Sequence, residues 1–252
     1  MKVGGTTALV TGANRGLGLC FVEALLEFGA AKVFAAARDI TSLTPLVDKY
    51  AGKVVPLKLD VTSQADVDAV AVAASDTNLL INNAGALVQR GLTVVDDLSG
   101  LELEMAVNVF GVARMCQAFA PIIVSNGGGI ANMLSVASMV NFPIFGTYAS
   151  TKAAAMSLTD CLRFEMRDQN VEVFGIYAGY IDTDMLGNVN ADKTSPADVA
   201  RNTMLGIEAG DINIDTDERA RNVRQGLQSD PAGVIAMTWE RAAEFRAANP
   251  MD

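Results

Sequence analysis

The chain has 252 residues, half of them hydrophobic, with 19 basic and 29 acidic side chains, three cysteines and no histidine. A net charge of −10 repels nucleic acids and anionic membrane surfaces, so neither is expected as a partner, and any phosphate must be held locally by backbone N–H groups or one or two arginines. Without histidine or clustered cysteines, no zinc or haem site is expected, and proton transfer must use something other than imidazole.

Short apolar runs alternate with amphipathic stretches. TALVTG at 7–12 reads as a buried strand, and 16–29 as a helix. KVFAAA at 32–37, VVPLKLD at 54–60 and NLLINNAG at 78–85 are further strands. A helix over about 99–121 places Leu101, Met105, Val109, Val112, Cys116 and Phe119 on one stripe. GIANMLS at 129–135 is a strand, 148–168 a long helix, and VEVFGIYAG at 171–179 the last apolar strand. Continuously apolar strands are expected where helices cover both faces of a parallel sheet. The repetition therefore predicts a single domain, 1–252, with a doubly wound parallel sheet in a three-layer α/β/α arrangement. After Leu186 the character changes. Ser195-Pro196-Ala197-Asp198 is a helix start, with Ser as cap and Pro in the first turn. Helical stretches at 217–229 and 231–247 are charged and Ala-rich, so 186–252 is expected to form a substrate lid and C-terminal cover.

The N-terminus reaches its first strand without a signal-peptide pattern, and no apolar run approaches the ~18 residues of a membrane span, which points to a cytoplasmic protein. Cys20, Cys116 and Cys161 all fall in helices and are expected to be buried, reduced thiols.

The segment TGANRGLG at 11–18 sits between the first strand and the first helix. Glycine at 12, 16 and 18 permits a tight turn and close backbone approach to a pyrophosphate at the helix N-terminus. Tyr148 and Lys152 lie four apart, on one helix face. An ammonium beside a phenol favours the tyrosinate, so Lys152 is expected to lower the Tyr148 pKa and make it a proton donor and acceptor.

These residues, with Asp60-Val61, Asn82-Asn83-Ala84-Gly85, Asn108 and Ser135 in that order, resemble the short-chain dehydrogenase/reductase family from about residue 6 to 186. The G-x3-G-x-G spacing is similar to its non-extended branch, and Arg15, Arg38 and the AARD stretch resemble its carbonyl reductases. The resemblance implies a Rossmann-type fold and a catalytic set of Asn108, Ser135, Tyr148 and Lys152. Ser135 would bond the substrate oxygen, with Ser138 as local competitor. Lys152 would also bind the nicotinamide ribose, and Asn108 would hold a water feeding protons to the lysine, although Asn108 could also satisfy a local backbone break. Cofactor contacts carry over to Gly12, Asn14, Arg15, Gly16, Leu17, Gly18, Arg38, Asp60, Val61, Asn83, Ala84, Gly85, Tyr148, Lys152, Ile181 and Thr183. The Asn82–Asn83 pair could equally stabilise the central strands.

Ala37 aligns with the acid by which NAD-specific members repel a 2′-phosphate, and Arg38 follows, so NADP(H) is expected over NAD(H). A one-residue slip would bring Asp39 to the ribose instead, and Arg38 could simply pair with Asp39. Val136, Met139, Phe142, Pro143, Phe145, Tyr180, Met185 and Leu186 lie in the substrate loops without a fixed cation. A neutral, hydrophobic ketone, aldehyde or secondary alcohol is the expected substrate. The other readings are a non-catalytic NADP-binding regulatory protein and a 3-oxoacyl-type reductase. The intact proton-relay set argues against the first, and the acidic surface against the second.

Besides a short helix between the third and fourth strands, the family pattern is broken in two places. Ala178-Gly179 replaces the usual Pro-Gly, and INIDTDERARN replaces the Asp-Gly-Gly ending of the final strand. The second change bears on one interface of the family's tetramer, so a homo-oligomer, dimer or tetramer, is expected through the helices at 101–121 and 148–168.

Overall fold

The structure, a computed structural model, describes residues 1–88, 91–92, 97–187 and 190–248. Seven parallel strands form one sheet: β1 (Thr7–Thr11), β2 (Lys32–Ala37), β3 (Val54–Lys58), β4 (Leu79–Asn82), β5 (Gly128–Met133), β6 (Val171–Tyr177) and β7 (Asn213–Asp215), in the order β3-β2-β1-β4-β5-β6-β7. This is the doubly wound Rossmann-type fold that the alternation predicts. The seventh strand lies outside the predicted set, because three residues are too few to stand out as an apolar run. Winding reverses between β1 and β4. That switch point opens a crevice at the carboxyl ends of the strands, where such sheets bind ligands.

The strands are apolar on both faces because both are covered. Ala8 and Val10 pack toward α1 (Gly16–Glu27), α2 (Thr44–Lys49) and α7 (Pro196–Ala209). Leu9, Leu80 and Ile130 pack toward α3 (Gln64–Ala73) and α5 (Val112–Asn126) on the other face, where Leu162 and Met166 of α6 (Gly146–Met166) join them. Each fully buried Leu or Ile contributes about 1.5–3 kcal/mol. The Ser195 hydroxyl accepts from Ala197 N at 3.2 Å, as expected of the α7 cap. Since α7 lies on α1 and β7 extends the sheet, both belong to the main layers. The cover expected over 186–252 therefore narrows to α8 (Glu218–Ser229) and α9 (Pro231–Ala248).

The long helix is not the uniform one predicted. α4 (Ser99–Met105) runs into a π-helical turn, Ala106–Gly111, before α5. A π turn inserts one residue and rotates everything before it by about 100°. Val109, Val112, Cys116 and Phe119 are buried as expected, but before the turn the fully buried residue is Glu104, while Leu101 and Met105 are only partly covered. Ser99–Asn126 also contains an 18-residue window of mean hydropathy 1.5, so by length and composition it could cross a membrane, contrary to the sequence expectation. Its apolar stripe, Met115, Phe119 and Ile123 included, instead faces the sheet. The cysteine expectation is likewise corrected: Cys116 is buried, Cys20 half-buried and Cys161 exposed, since position 161 falls on the outer face of α6.

Candidate active site

The glycine loop joins β1 to α1. Gly12 and Gly16 have φ of 66° and 53°, a region in which side chains are strained. A Cβ at Gly18 would lie 2.0 Å from the Gly12 carbonyl oxygen, so the helix can approach the loop only with glycine there. The α1 start has no side-chain cap and no acidic residue in its first turn. Its N–H groups and dipole are therefore available to an anion, and the residues suit a pyrophosphate. Asn14 lies half-exposed in the loop, and the Leu17 side chain is part of the core, so only its backbone can meet a ligand.

The Asn83 side chain is engaged by the glycine loop. Its Nδ2 donates to Thr11 O at 2.9 Å and Gly12 O at 3.3 Å, and the Thr11 hydroxyl accepts from Asn83 N and Ala84 N. The side chain ties β4 to the glycine loop. Asn82 donates to Asn132 Oδ1 at 2.8 Å inside the sheet. Of the two roles considered for this pair, strand stabilisation is the one the side chains fill.

At the end of β2, Ala37 is buried and Arg38 exposed. The Asp39 carboxylate accepts from Thr41 N and Thr41 Oγ1 at 2.9 and 2.7 Å, capping the short helical turn Ile40–Leu43. Asp39 is thus held by the turn, and among the described residues it makes no ion pair with Arg38. Arg15 bonds Asp184 at 2.7 Å, an exposed pair that is easily exchanged for a ligand. Asp60 lies opposite. Partial burial opposes its ionisation, but bonds from Thr62 and the fields of Arg38 and Lys58 hold its carboxyl below the usual range. Val61 packs against Gly111 in the core and can meet a ligand only through its backbone. Ile181 pairs with Thr194, and the Thr183 methyl lies against Gly16, so this loop closes over the glycine loop.

The four proposed catalytic residues converge beyond β4 and β5. Ser135 begins a one-turn helix, its hydroxyl accepting from Ala137 N at 3.1 Å and donating to Ala178 O at 3.5 Å, and it lines the same pocket as the Tyr148 phenol. Ser138, buried, accepts from Ser135 N at 3.1 Å, so this competitor has a capping role. Asn108, fully buried in the π turn, accepts from Ala86 N and donates to Ala86 O, both at 2.8 Å, and donates to Thr151 Oγ1 at 3.0 Å. Its side chain thus fastens the segment after Gly85 to α6. A Cβ at Gly85 would come within 3.4 Å of Asn108 Oδ1 and 3.9 Å of Lys152 Nζ.

Lys152 lies on the Tyr148 side of α6, its Nζ 5.6 Å from the ring centroid and donating to Met133 O at 2.8 Å. The expected pKa effect is reversed. Burial pushes the Tyr148 phenol above its ordinary value; the Ser135 hydroxyl opposes this, and the Glu104 carboxylate adds to it. The lysine, also buried, is pushed down to about 8. Desolvation acts on both groups and dominates at the phenol, although Lys152, at about 8, is still mostly charged at neutral pH. Tyr148 is therefore a protonated phenol at neutral pH, suited to giving a proton.

A pocket leads from Ser135 and Tyr148. Val136, Phe142, Phe145, Tyr180, Met185 and Leu186 line it, as expected, but Met139 and Pro143 do not. Phe245 of α9 meets Phe142, Phe145 and Tyr180 at ring distances of 5.8–6.4 Å. Two cations missed by the sequence reading, Arg219 on α8 and Arg241 on α9, also line it. They carry no motif, and only the folding back of the last two helices brings them here.

The profile of the family described as short chain dehydrogenase matches residues 6–194. The chain belongs to the short-chain dehydrogenase/reductase family of oxidoreductases. Among members, the chain is 28% identical over 212 residues to the NADP-dependent 3-hydroxy acid dehydrogenase of Schizosaccharomyces pombe, covering 80% of this chain and 82% of the relative. It is 32% identical over 197 residues to the sorbitol dehydrogenase of Cereibacter sphaeroides, covering 76% of each. A crystallised short chain dehydrogenase from Burkholderia cenocepacia, in complex with NADP, is 36% identical and superposes with a TM-score of 0.90 over 94% of this chain and 99% of that one.

Proposed function

We propose that the protein is an NADP(H)-dependent reductase or dehydrogenase interconverting a ketone or aldehyde with the corresponding alcohol. The observation that carries this reading is the convergence of Ser135 and Tyr148 on an apolar pocket, with Lys152 buried beside the Tyr148 ring. When bound, the nicotinamide cofactor supplies or accepts the hydride.

In reduction, the Ser135 hydroxyl orients the carbonyl oxygen, and Tyr148 transfers its phenolic proton to that oxygen as charge develops there. The pocket walls exclude water. Lys152, with its depressed pKa, can exchange protons near neutrality and bond the ribose hydroxyls. In oxidation Tyr148 must first lose its proton, a step that burial opposes.

The glycine loop from Gly12 to Gly18 would receive the pyrophosphate. Arg38, aided by Arg15 once it leaves Asp184, would hold the 2′-phosphate at a strand end that lacks a repelling carboxylate. The NADP in the Burkholderia cenocepacia relative and the name of the Schizosaccharomyces pombe enzyme support the same cofactor. The apolar lining supports a substrate with a hydrophobic body, while strict neutrality is not retained, given the two arginines. Helices α8 and α9 would act as its lid. Leu103, Phe110, Leu158 and Phe164, exposed on α4 to α6, support homo-oligomerisation through those helices.

The test is a panel of ketones and aldehydes followed by NADPH absorbance, with NADH compared on one substrate. Reduction with higher kcat/KM for NADPH is expected. A kcat/KM ratio favouring NADH would overturn the cofactor assignment, and no turnover across the panel would overturn the activity.

A further inference from the structure

Arg219 and Arg241 line the pocket that holds Ser135 and Tyr148. Arg219 is half-buried and held in place. Its guanidinium lies over the Tyr180 ring, 4.6 Å from the centroid. Its aliphatic stem crosses Gly179, where a Cβ would come within 2.6 Å of Arg219 Cδ. The backbone beneath it is fixed as well: the Asp217 carboxylate accepts from Gly179 N at 2.7 Å and from Ala220 N at 2.8 Å, joining the substrate loop to the first turn of α8. The glycine in the unusual Ala178-Gly179 turn thus provides the room in which an arginine lies along the pocket wall.

Arg241 approaches from α9. Among the described residues, neither guanidinium donates a hydrogen bond or joins an ion pair. Both arginines stand on the rim between this pocket and an adjoining cleft, which they line together with Asp192, Lys193, Asp217 and Glu218; of these acids Asp217 is engaged by two backbone N–H groups, while Asp192 and Glu218 are exposed. Apart from the hydroxyls of Ser135, Tyr148, Tyr180, Thr183 and Thr238, the rest of the pocket is aromatic and aliphatic. Among the described residues the pocket itself is lined by no carboxylate, and these two guanidiniums are its charged side chains. Arginine offers a rigid fork of donors that matches a carboxylate.

We infer that the substrate is an oxo acid or hydroxy acid with an apolar, ring-sized body, its carboxylate held by Arg219 and Arg241 while its carbonyl or hydroxyl meets Ser135 and Tyr148. This rests on the carbonyl-reducing reading above. The pocket sets both requirements: the aromatic wall of Phe142, Phe145, Tyr180 and Phe245 accepts the body, and the two guanidiniums discriminate against the same molecule without its charge. The burial that raises the Tyr180 phenol is opposed by the fields of both arginines, which places both charges near that ring.

The experiment compares aryl oxo acids, with one to three carbons between ketone and carboxylate, against their methyl esters, using NADPH. The acid is expected to be preferred in kcat/KM by about tenfold to a hundredfold, the usual worth of a charge-assisted contact. In Arg219→Gln/Arg241→Gln that preference should collapse toward unity, while Arg219→Lys should keep part of it. Equal rates for acid and ester in the wild type, or an acid preference that survives the double substitution, overturn the inference. If the double variant does not fold, Arg241→Gln alone, at an exposed position, is measured and should lower the preference severalfold; an unchanged ratio counts against the inference. Calorimetric binding of 4-phenylbutyrate against 4-phenylbutanol separates the two levels. No turnover of any ketone, with 4-phenylbutyrate still bound in an arginine-dependent way, would sink the enzymatic reading and leave the anion site standing. Indifference to the carboxylate would sink the anion site alone.

Discussion

The floor of the pocket and its cover are built on different principles. The floor comes from the ends of β1, β4 and β5 and from α6, and its residues stand at fixed spacings because a strand end or one helical turn positions each of them. The cover comes from α8 and α9, joined to the floor by Asp217, by the Arg219–Gly179 contact and by Phe245 among the rings. No spacing rule governs it. The floor's chemistry is accordingly that of the family motifs, while the cover's arginines and phenylalanine belong to no such motif. Chemistry and selectivity should therefore be separable by mutation.

The largest expected effect is on the floor. Tyr148→Phe removes the proton donor and keeps the ring, so kcat should fall about 10²–10⁴-fold with the fold and cofactor affinity retained. Near wild-type turnover would show that another group gives the proton. Arginine substitutions in the cover, by contrast, should change the acid-to-ester ratio far more than the pH dependence set by the floor.

Lys152 tests what the floor costs in stability. Its pKa falls from the ordinary 10.5 to about 8 through burial. Below pH 8 the ammonium is present in both folded and unfolded chains, so the folded state bears the full penalty. Between pH 8 and 10.5 the unfolded chain holds a proton that the folded one has released, and stability rises with pH until the penalty is gone. The displacement corresponds to roughly 3 kcal/mol, less about 1 kcal/mol for the bond to Met133 O. Cofactor-free Lys152→Met should therefore be more stable at pH 7, with Tm higher by several degrees, and the gain should shrink above pH 9. A Tm lowered at pH 7 would show that the buried ammonium stabilises the fold.

The cofactor end should respond more moderately. In Ala37→Asp a carboxylate enters beside the 2′-phosphate position, and the NADPH-to-NADH ratio of kcat/KM should drop by about tenfold or more, from like-charge repulsion. An unchanged ratio would mean that the end of β2 is not where the 2′-phosphate sits. The smallest effect is expected of Asp184→Asn, which breaks an exposed pair with Arg15 whose two side chains are 67% and 82% accessible. Stability should change by less than about 1 kcal/mol. Arg15, released, should lower KM for NADPH about twofold and leave KM for NADH unchanged.

Much of this molecule can be read from its chain. Alternating apolar and amphipathic segments determine the sheet and its two helical layers, since period and burial follow directly from residue type. The glycine loop, Ala37-Arg38 and the i, i+4 pair of Tyr148 and Lys152 are equally legible, because local geometry alone brings each group together. Tertiary structure decided the rest. Whether Asn83 faced a ligand or tied β4 to the glycine loop depended on Thr11, 72 residues away. The π turn that carries Glu104 inward is a single-residue change in helical register, which an apolar stripe does not encode. The direction of the Tyr148 pKa reversed because desolvation depends on how completely neighbouring elements close over a group, and a four-residue spacing says nothing of that. Arg219 and Arg241 became pocket residues only because α8 and α9 fold back onto Gly179 and the aromatic rings. Contacts made across long stretches of chain leave no periodic trace in it.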